Sequence, residues 1–257
     1  MPVTIALAGK GGTGKTTIAA LLIRSLLQRG KRPLLAIDAD PASNLNLALG
    51  VPLPTTVGQI REEMAETAQA GQLGVAISRL DYLTREVRMA LEEGDDVDLL
   101  AMGRPEGQGC YCAVNHLLRQ IIDTLGSKYA CVVIDNEAGM EHISRRTTRD
   151  VDLLLLVTDP TVRGVKTAAA MAELAREVEV NVGQAMLILN RLQGEPSPQV
   201  QAAIDELGLP IAAFVPADPT VNELDARGEP LFSMNGDSPA FRAIETMTES
   251  ISQTLSW

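Results

Sequence analysis

Short runs of branched aliphatic residues alternate along the chain with longer segments whose apolar positions return every three or four residues. A strand covered on both faces reads as such a run, because neither side of it meets water; a helix lying on a sheet reads as a stripe of period 3.6. Strands are expected at Val3 to Ala8, Pro33 to Asp38, Asp98 to Met102, Ala130 to Asp135, Leu153 to Thr158, Ala185 to Asn190 and Ile211 to Val215. Helices are expected at Lys15 to Arg29, Val114 to Leu125, Val165 to Val178, Pro198 to Leu207 and Pro239 to Leu255. Gly30, Gly126 and Gly208 stand where helices would end, since glycine takes the left-handed C-cap conformation without a Cβ clash. This alternation predicts an α/β fold: a mostly parallel, doubly wound sheet of about seven to eight strands with helices on both faces. The pattern fails between Pro52 and Asp96, where charged helical turns follow one another without a clear strand, and a helical insertion is expected over 52–96.

Composition narrows this frame. No Pro/Gly/Ser linker divides the 257 residues and apolar segments recur to the end, so residues 1–257 read as one domain around one large core. Aromatic residues make up only 3%, which leaves the core to Leu, Ile, Val, Ala and Met and favours a helix-covered sheet over a β-sandwich. With 22 basic against 33 acidic residues the formal charge is −11, and an acidic body without a basic run repels phosphate backbones. Nucleic acid is therefore not an expected partner. Apolar runs such as Leu153 to Val157 fall far short of the roughly 20 residues that span a bilayer, so no membrane association is expected either. Met1 to Ala8 carry no basic n-region, long apolar segment or cleavage site, and a cytoplasmic location is expected. In that compartment three cysteines are not a disulfide framework, and Cys110-Tyr111-Cys112 reads first as metal or redox chemistry.

Gly9-Lys10-Gly11-Gly12-Thr13-Gly14-Lys15-Thr16 matches the Walker A pattern of a P-loop and lies between the first strand and an apolar-striped helix, as its mechanism requires. The glycines let backbone N–H groups turn inward around phosphate oxygens, and the following helix adds its positive end. Lys15 supplies a point charge and Thr16 a hydroxyl for Mg²⁺. Gly11, Gly12, Thr13, Gly14, Lys15, Thr16 and the adjoining Thr17 are the expected nucleotide-binding residues of a Mg-dependent ATPase with the P-loop NTPase fold.

Lys10 is a second lysine that the loop does not need for its own phosphates. With it, the segment resembles the deviant Walker A, Lys-Gly-Gly-x-Gly-Lys-Thr, of the MinD/ArsA/nitrogenase-iron-protein ATPases. The resemblance implies an ATP-dependent homodimer in which Lys10 reaches the nucleotide of the other subunit. Asp38-Ala39-Asp40-Pro41-Ala42-Ser43-Asn44 is similar to the family's switch I, which implies that Asp40 orients or activates the attacking water. Asp135-Asn136-Glu137-Ala138-Gly139 is similar to Walker B passing into switch II, which implies that Asp135 holds Mg²⁺ through water and that the Gly139 amide senses the γ-phosphate. Asn190-Arg191 and Val215-Pro216-Ala217-Asp218 resemble its adenine-contacting segments. An aspartate at a strand end is equally suited to capping a helix. The catalytic reading gains from position, since both switches follow strands at the carboxyl edge where open parallel sheets bind ligands.

Cys110 and Cys112 are two apart in a glycine-rich stretch, and in an extended segment such residues project to one side with Cα atoms about 6.5 Å apart. Two thiolates do not close a metal site; the same pair from a second subunit would make it S₄, and His116 is an alternative ligand one helical turn on. His116 and His142 read more simply as helix-surface or cap-region residues, and Cys131 as a small buried hydrophobe. Met102-Gly103, Cys110-Tyr111-Cys112 and Ala138-Gly139-Met140-Glu141-His142 together resemble the CooC-type nickel-insertion ATPases and the related AcsF-type factors. That resemblance implies Ni²⁺, or Zn²⁺ in its place, at Cys110 and Cys112, and carbon monoxide dehydrogenase or acetyl-CoA synthase as client. Two other expectations stand beside it: a MinD/ParA-like localisation ATPase and an iron–sulfur-carrying ATPase. The first needs a basic patch or a basic amphipathic C-terminal helix. The stripe of Phe241, Ile244, Met247, Ile251 and Leu255 instead has Glu245 and Glu249 beside it and reads as core packing.

Overall fold

The computed structural model describes residues 2–53, 55–69, 85–94, 96–103, 128–137, 150–177, 181–255 and 257. Their strands form one seven-stranded sheet in the order β3-β2-β4-β1-β5-β6-β7. The strands are β1 (Val3–Ala8), β2 (Leu34–Asp38), β3 (Val97–Ala101), β4 (Cys131–Asp135), β5 (Asp150–Thr158), β6 (Asn181–Leu192) and β7 (Ile211–Pro216). Every pairing between these strands is parallel, and Leu99 of β3 also makes an isolated antiparallel bridge to Glu92. Helices α1 (Lys15–Gln28), α2 (Leu45–Leu49), α3 (Val57–Gln69), α4 (Val162–Glu177), α5 (Pro198–Leu207), α6 (Pro219–Arg227) and α7 (Pro239–Thr254) cover it.

Alternation along the strands divides the core between the two faces. Ile5, Leu7, Cys131, Val133, Leu153 and Leu155 pack with α1 and α7, whereas Ala6, Ala8, Val132, Ile134, Leu154 and Leu156 pack with α4 and α5. The C-terminal stripe is core, as expected: Phe241, Ile244, Met247 and Ile251 are buried. The Arg24 guanidinium of α1 lies 4.3 Å from the Phe241 ring centroid, and the Lys31 ammonium lies 4.5 Å from that of Trp257. No described helix is long and apolar enough to cross a membrane.

Strand order reverses around β1. From β1 the chain crosses to β2, while β4 returns between them and β5 adds on the other side. The ends of β1, β2 and β4 therefore meet at the switch point where such sheets bind ligands.

Departures from the expected elements have local causes. β5 and β6 start earlier than expected because they extend each other, Asp150 pairing with Asn181 and Val151 with Val182. α4 starts one turn early, at Val162, where the Thr161 hydroxyl accepts the Gly164 N–H at 3.0 Å. α2 and α6 were not expected; both are short, and α6 is set by its ends, with Asp218 as N-cap, Pro219 in the first turn and left-handed Gly228 as C-cap. In the stretch expected as a helical insertion, α3 and residues 85–89 are helical. The expected helix Val114 to Leu125, with Gly126, lies outside the described residues.

Candidate active site

The chain leaves β1 at Ala8 and enters α1 at Lys15, and the residues between form a tight loop. Gly9 passes so close to β5 that a Cβ there would sit 2.2 Å from the Val157 carbonyl oxygen. Gly14 precedes α1 in the left-handed conformation (φ 88°), and no side chain caps the helix. The first-turn N–H groups of α1 thus lack a side-chain acceptor, which suits them to an anion. Thr13 donates its hydroxyl to the Lys10 carbonyl at 2.9 Å. Lys15 folds back over the loop, its Nζ donating to the carbonyls of Gly9 (3.3 Å) and Lys10 (3.4 Å). Burial lowers the Lys15 pKa, against the opposing charges of Asp135, Asp40 and Glu137.

The Thr16 hydroxyl donates to Asp135 Oδ2 at 2.6 Å. Asp135 Oδ1 is buried with no hydrogen-bond partner among the described residues. Burial pushes the Asp135 pKa up to about 7, with Asp38 and Asp40 adding to the rise and the Thr16 hydroxyl and Lys15 opposing it. An orphaned carboxylate oxygen, a hydroxyl on its sister oxygen and surrounding acids form a donor set that fits a hard divalent cation such as Mg²⁺.

Asp40 is half-buried, and its Oδ1 accepts the Ala42 N–H at 2.8 Å, which closes the turn after β2. The residue that builds this turn is Asp38, which sequence reasoning did not single out. Its buried carboxylate accepts the N–H groups of Asp40 (3.0 Å) and Leu45 (2.9 Å), and burial raises its pKa to about 6. The Asp-x-Asp-Pro spelling was the available signal, since an aspartate two residues before a turn commonly accepts its N–H groups.

At the ends of β6 and β7, Asn190, Arg191, Pro216, Ala217 and Asp218 line a cleft of about 210 Å³ together with Thr17 and Val221. The Asp218 carboxylate is already engaged. It accepts from Thr220 N–H (2.8 Å), Ser238 hydroxyl (2.6 Å) and Ala240 N–H (3.1 Å), and so ties together the starts of α6 and α7. Burial works to raise its pKa, but these hydrogen bonds prevail and hold it below the usual carboxylate range. Asp218→Ala should therefore lower stability by about 2–4 kcal/mol at neutral pH. A depressed carboxylate pKa stabilises the fold above its unfolded value and loses that contribution as pH falls through the folded value. The gap between variant and wild type in urea unfolding should accordingly narrow in acid, and a gap constant with pH would contradict the capping role.

Cys131 is fully buried in β4, and burial raises its thiol pKa, so it packs as a small hydrophobe. Gly139, Cys110, Cys112, His116 and His142 lie outside the described residues.

Residues 4–231 match the family described as the CobQ/CobB/MinD/ParA nucleotide binding domain. An uncharacterized ATP-binding protein of Methanocaldococcus jannaschii is 41% identical over 247 residues, 96% of this chain and 97% of that protein. The carbon monoxide dehydrogenase accessory protein CooC of Rhodospirillum rubrum is 37% identical over 188 residues, 68% of this chain and 70% of that one. Among solved structures, the septum site-determining protein MinD of Pyrococcus horikoshii, complexed with Mg-ADP, has the same fold, with a TM-score of 0.71 at 24% identity over 99% of this chain and 98% of that one.

Proposed function

The chain belongs to the CobQ/CobB/MinD/ParA nucleotide-binding family, and from that premise we propose that it is an ATP-driven metallochaperone, carrying nickel towards carbon monoxide dehydrogenase or acetyl-CoA synthase. That it is an ATPase of the deviant Walker A kind follows from its family and loop. The metallochaperone reading rests on its 37% identity to a carbon monoxide dehydrogenase accessory protein, in a chain that also carries Cys110-Tyr111-Cys112.

In this reading the N–H groups from Gly11 to Thr16 and the Lys15 ammonium hold the phosphates, and Thr17 with the β6–β7 cleft takes the base. Thr16 and Asp135 would hold Mg²⁺, which when bound neutralises phosphate charge. Asp40 orients water for in-line attack on the γ-phosphorus and takes its proton as ADP leaves. The Gly139 amide reads whether a γ-phosphate is present. Lys10 completes the neighbouring subunit's site, so hydrolysis belongs to a homodimer. Across that dimer Cys110 and Cys112 of each subunit supply four thiolates to one cargo ion, Ni²⁺ or Zn²⁺ in its place. Nucleotide state changes ion affinity only as far as the two states hold the thiolates differently. The rival reading, a septum-positioning ATPase, gains nothing from the C-terminal helix, whose apolar stripe is spent on the core.

The expected stoichiometry is one ion per dimer, and the ion should promote dimerisation without ATP because it binds only the dimer. Cys110→Ser or Cys112→Ser should abolish both effects and leave nucleotide binding intact, while Cys131→Ala should change neither. Anaerobic sedimentation velocity with metal analysis measures this; one tight ion per monomer, indifferent to either cysteine, would refute the bridging site. Brown, cluster-bearing protein from anaerobic purification would favour an iron–sulfur cargo instead.

A further inference from the structure

Strand β6 loses regular pairing where it reaches the site. Leu189 pairs with Phe214 and Leu192 with Pro216, so Asn190 and Arg191 stand opposite Val215 alone. Two residues against one is a β-bulge, a device that re-aims side chains. Arg191 takes the left-handed conformation there (φ 58°), which is costly for a residue with a Cβ and persists only when its surroundings hold it.

Both re-aimed side chains land on the phosphate loop. Asn190 Nδ2 donates to the Thr13 carbonyl at 2.8 Å, and Arg191 Nη1 donates to the Gly12 carbonyl at 3.0 Å. Asn190 Oδ1 accepts the Arg191 N–H at 2.9 Å, which orients the amide so that its NH₂ faces the loop. Asn190 is only 5% exposed, and a Cβ at Gly14 would lie 2.4 Å from its Nδ2. In a trans peptide the C=O and the following N–H point in opposite directions. Pinning the Gly12 and Thr13 carbonyls towards β6 therefore aims the Thr13 and Gly14 N–H groups away from it; the Thr13 N–H accordingly points across the loop to the Lys10 carbonyl at 3.4 Å.

We propose that Asn190 and Arg191 are positioning residues, a bulge-borne clamp that sets the phosphate loop for the triphosphate rather than reading the base. The inference rests on the loop being the nucleotide site. It also differs from the adenine-contact role that resemblance implies for these two residues, and the difference is measurable. Removing a group that recognises the base weakens ATP alone; leaving the loop unset weakens any triphosphate.

The test uses Mg-ATP and inorganic Mg-triphosphate, each displacing a fluorescent ATP analogue from wild type, Asn190→Ala and Arg191→Gly. Asn190→Ala should weaken both probes by a common factor of about ten, the worth of one buried hydrogen bond. Arg191→Gly keeps the left-handed conformation without strain, so it should also weaken both while its urea midpoint equals or exceeds that of wild type; a purely structural residue would lower binding and stability together. In the ligand-free variants, amide hydrogen exchange over residues 9–16 should be faster than in wild type. Weakened ATP binding with triphosphate binding and loop exchange unchanged would overturn the clamp and return these residues to base recognition. No effect on either probe or on exchange would overturn it as well. If wild type binds neither probe, the nucleotide-site reading fails by itself, and loop exchange still decides the clamp.

Discussion

Lys10→Ala is expected to lower ATP turnover about 10³-fold while ATP binding stays near the wild-type value, by the precedent of arginine fingers supplied in trans. The geometry separates the two parts of this residue. Its carbonyl holds Thr13 and Lys15, and its side chain is exposed. Alanine keeps the carbonyl, so the loop within one subunit keeps its shape and only the ammonium offered outward disappears. Lys15→Ala should do the reverse. It removes a buried cation from among Asp135, Asp40 and Glu137, whose charges all act on it, and phosphates would then meet uncompensated carboxylates. Nucleotide binding itself should be abolished. Equilibrium binding and steady-state hydrolysis measured on both variants decide the matter, and wild-type turnover in Lys10→Ala would remove the trans role.

Asp40→Asn is expected to trap an ATP-bound dimer, with turnover reduced about 10²–10⁴-fold, the usual worth of a general base. Asparagine retains an oxygen able to accept the Ala42 N–H, and the bond to Asp38 uses only the backbone N–H of residue 40. The turn should survive, and with it phosphate binding. What disappears is the charge that draws a proton from water. A dimer accumulating with ATP and persisting through size-exclusion chromatography is the expected result. Normal cycling in this variant would assign the water to another group, and Asp38 would be the next residue to replace.

The sheet was legible because parallel strands buried on both faces leave unbroken apolar runs; Leu34-Leu35-Ala36-Ile37 and Leu153 to Val157 could be little else. Strand ends were less so, since Asp150 and Asn181 are strand residues only because each pairs with the other. The phosphate loop was legible because its spacing encodes a backbone conformation. Asp38 was less so: its Asp-x-Asp-Pro spelling marks a turn, but the second N–H it accepts, that of Leu45, lies seven residues on and carries no side-chain signature. The carbonyl bonds of Asn190 and Arg191 were out of reach for another reason: they depend on a bulge created by β7, some twenty residues further along the chain. Asp218 stood out only through its likeness to an adenine-contacting segment; its three hydrogen bonds, which tie together the starts of α6 and α7, depend on Ser238 and Ala240 being folded back beside it.

Trp257 gives the molecule an optical reporter of its own. It is the only tryptophan in the sequence, its indole lies against the Lys31 ammonium just past the end of α1, and the other end of that helix is the phosphate loop. The 14 residues of α1 put about 21 Å between loop and fluorophore, too far for bound nucleotide to touch the ring. A change in emission on adding nucleotide would then report an indirect response, carried through α1 or by dimer formation, that alters how the ammonium sits on the indole. Constant emission would confine the response to the loops at the carboxyl edge of the sheet.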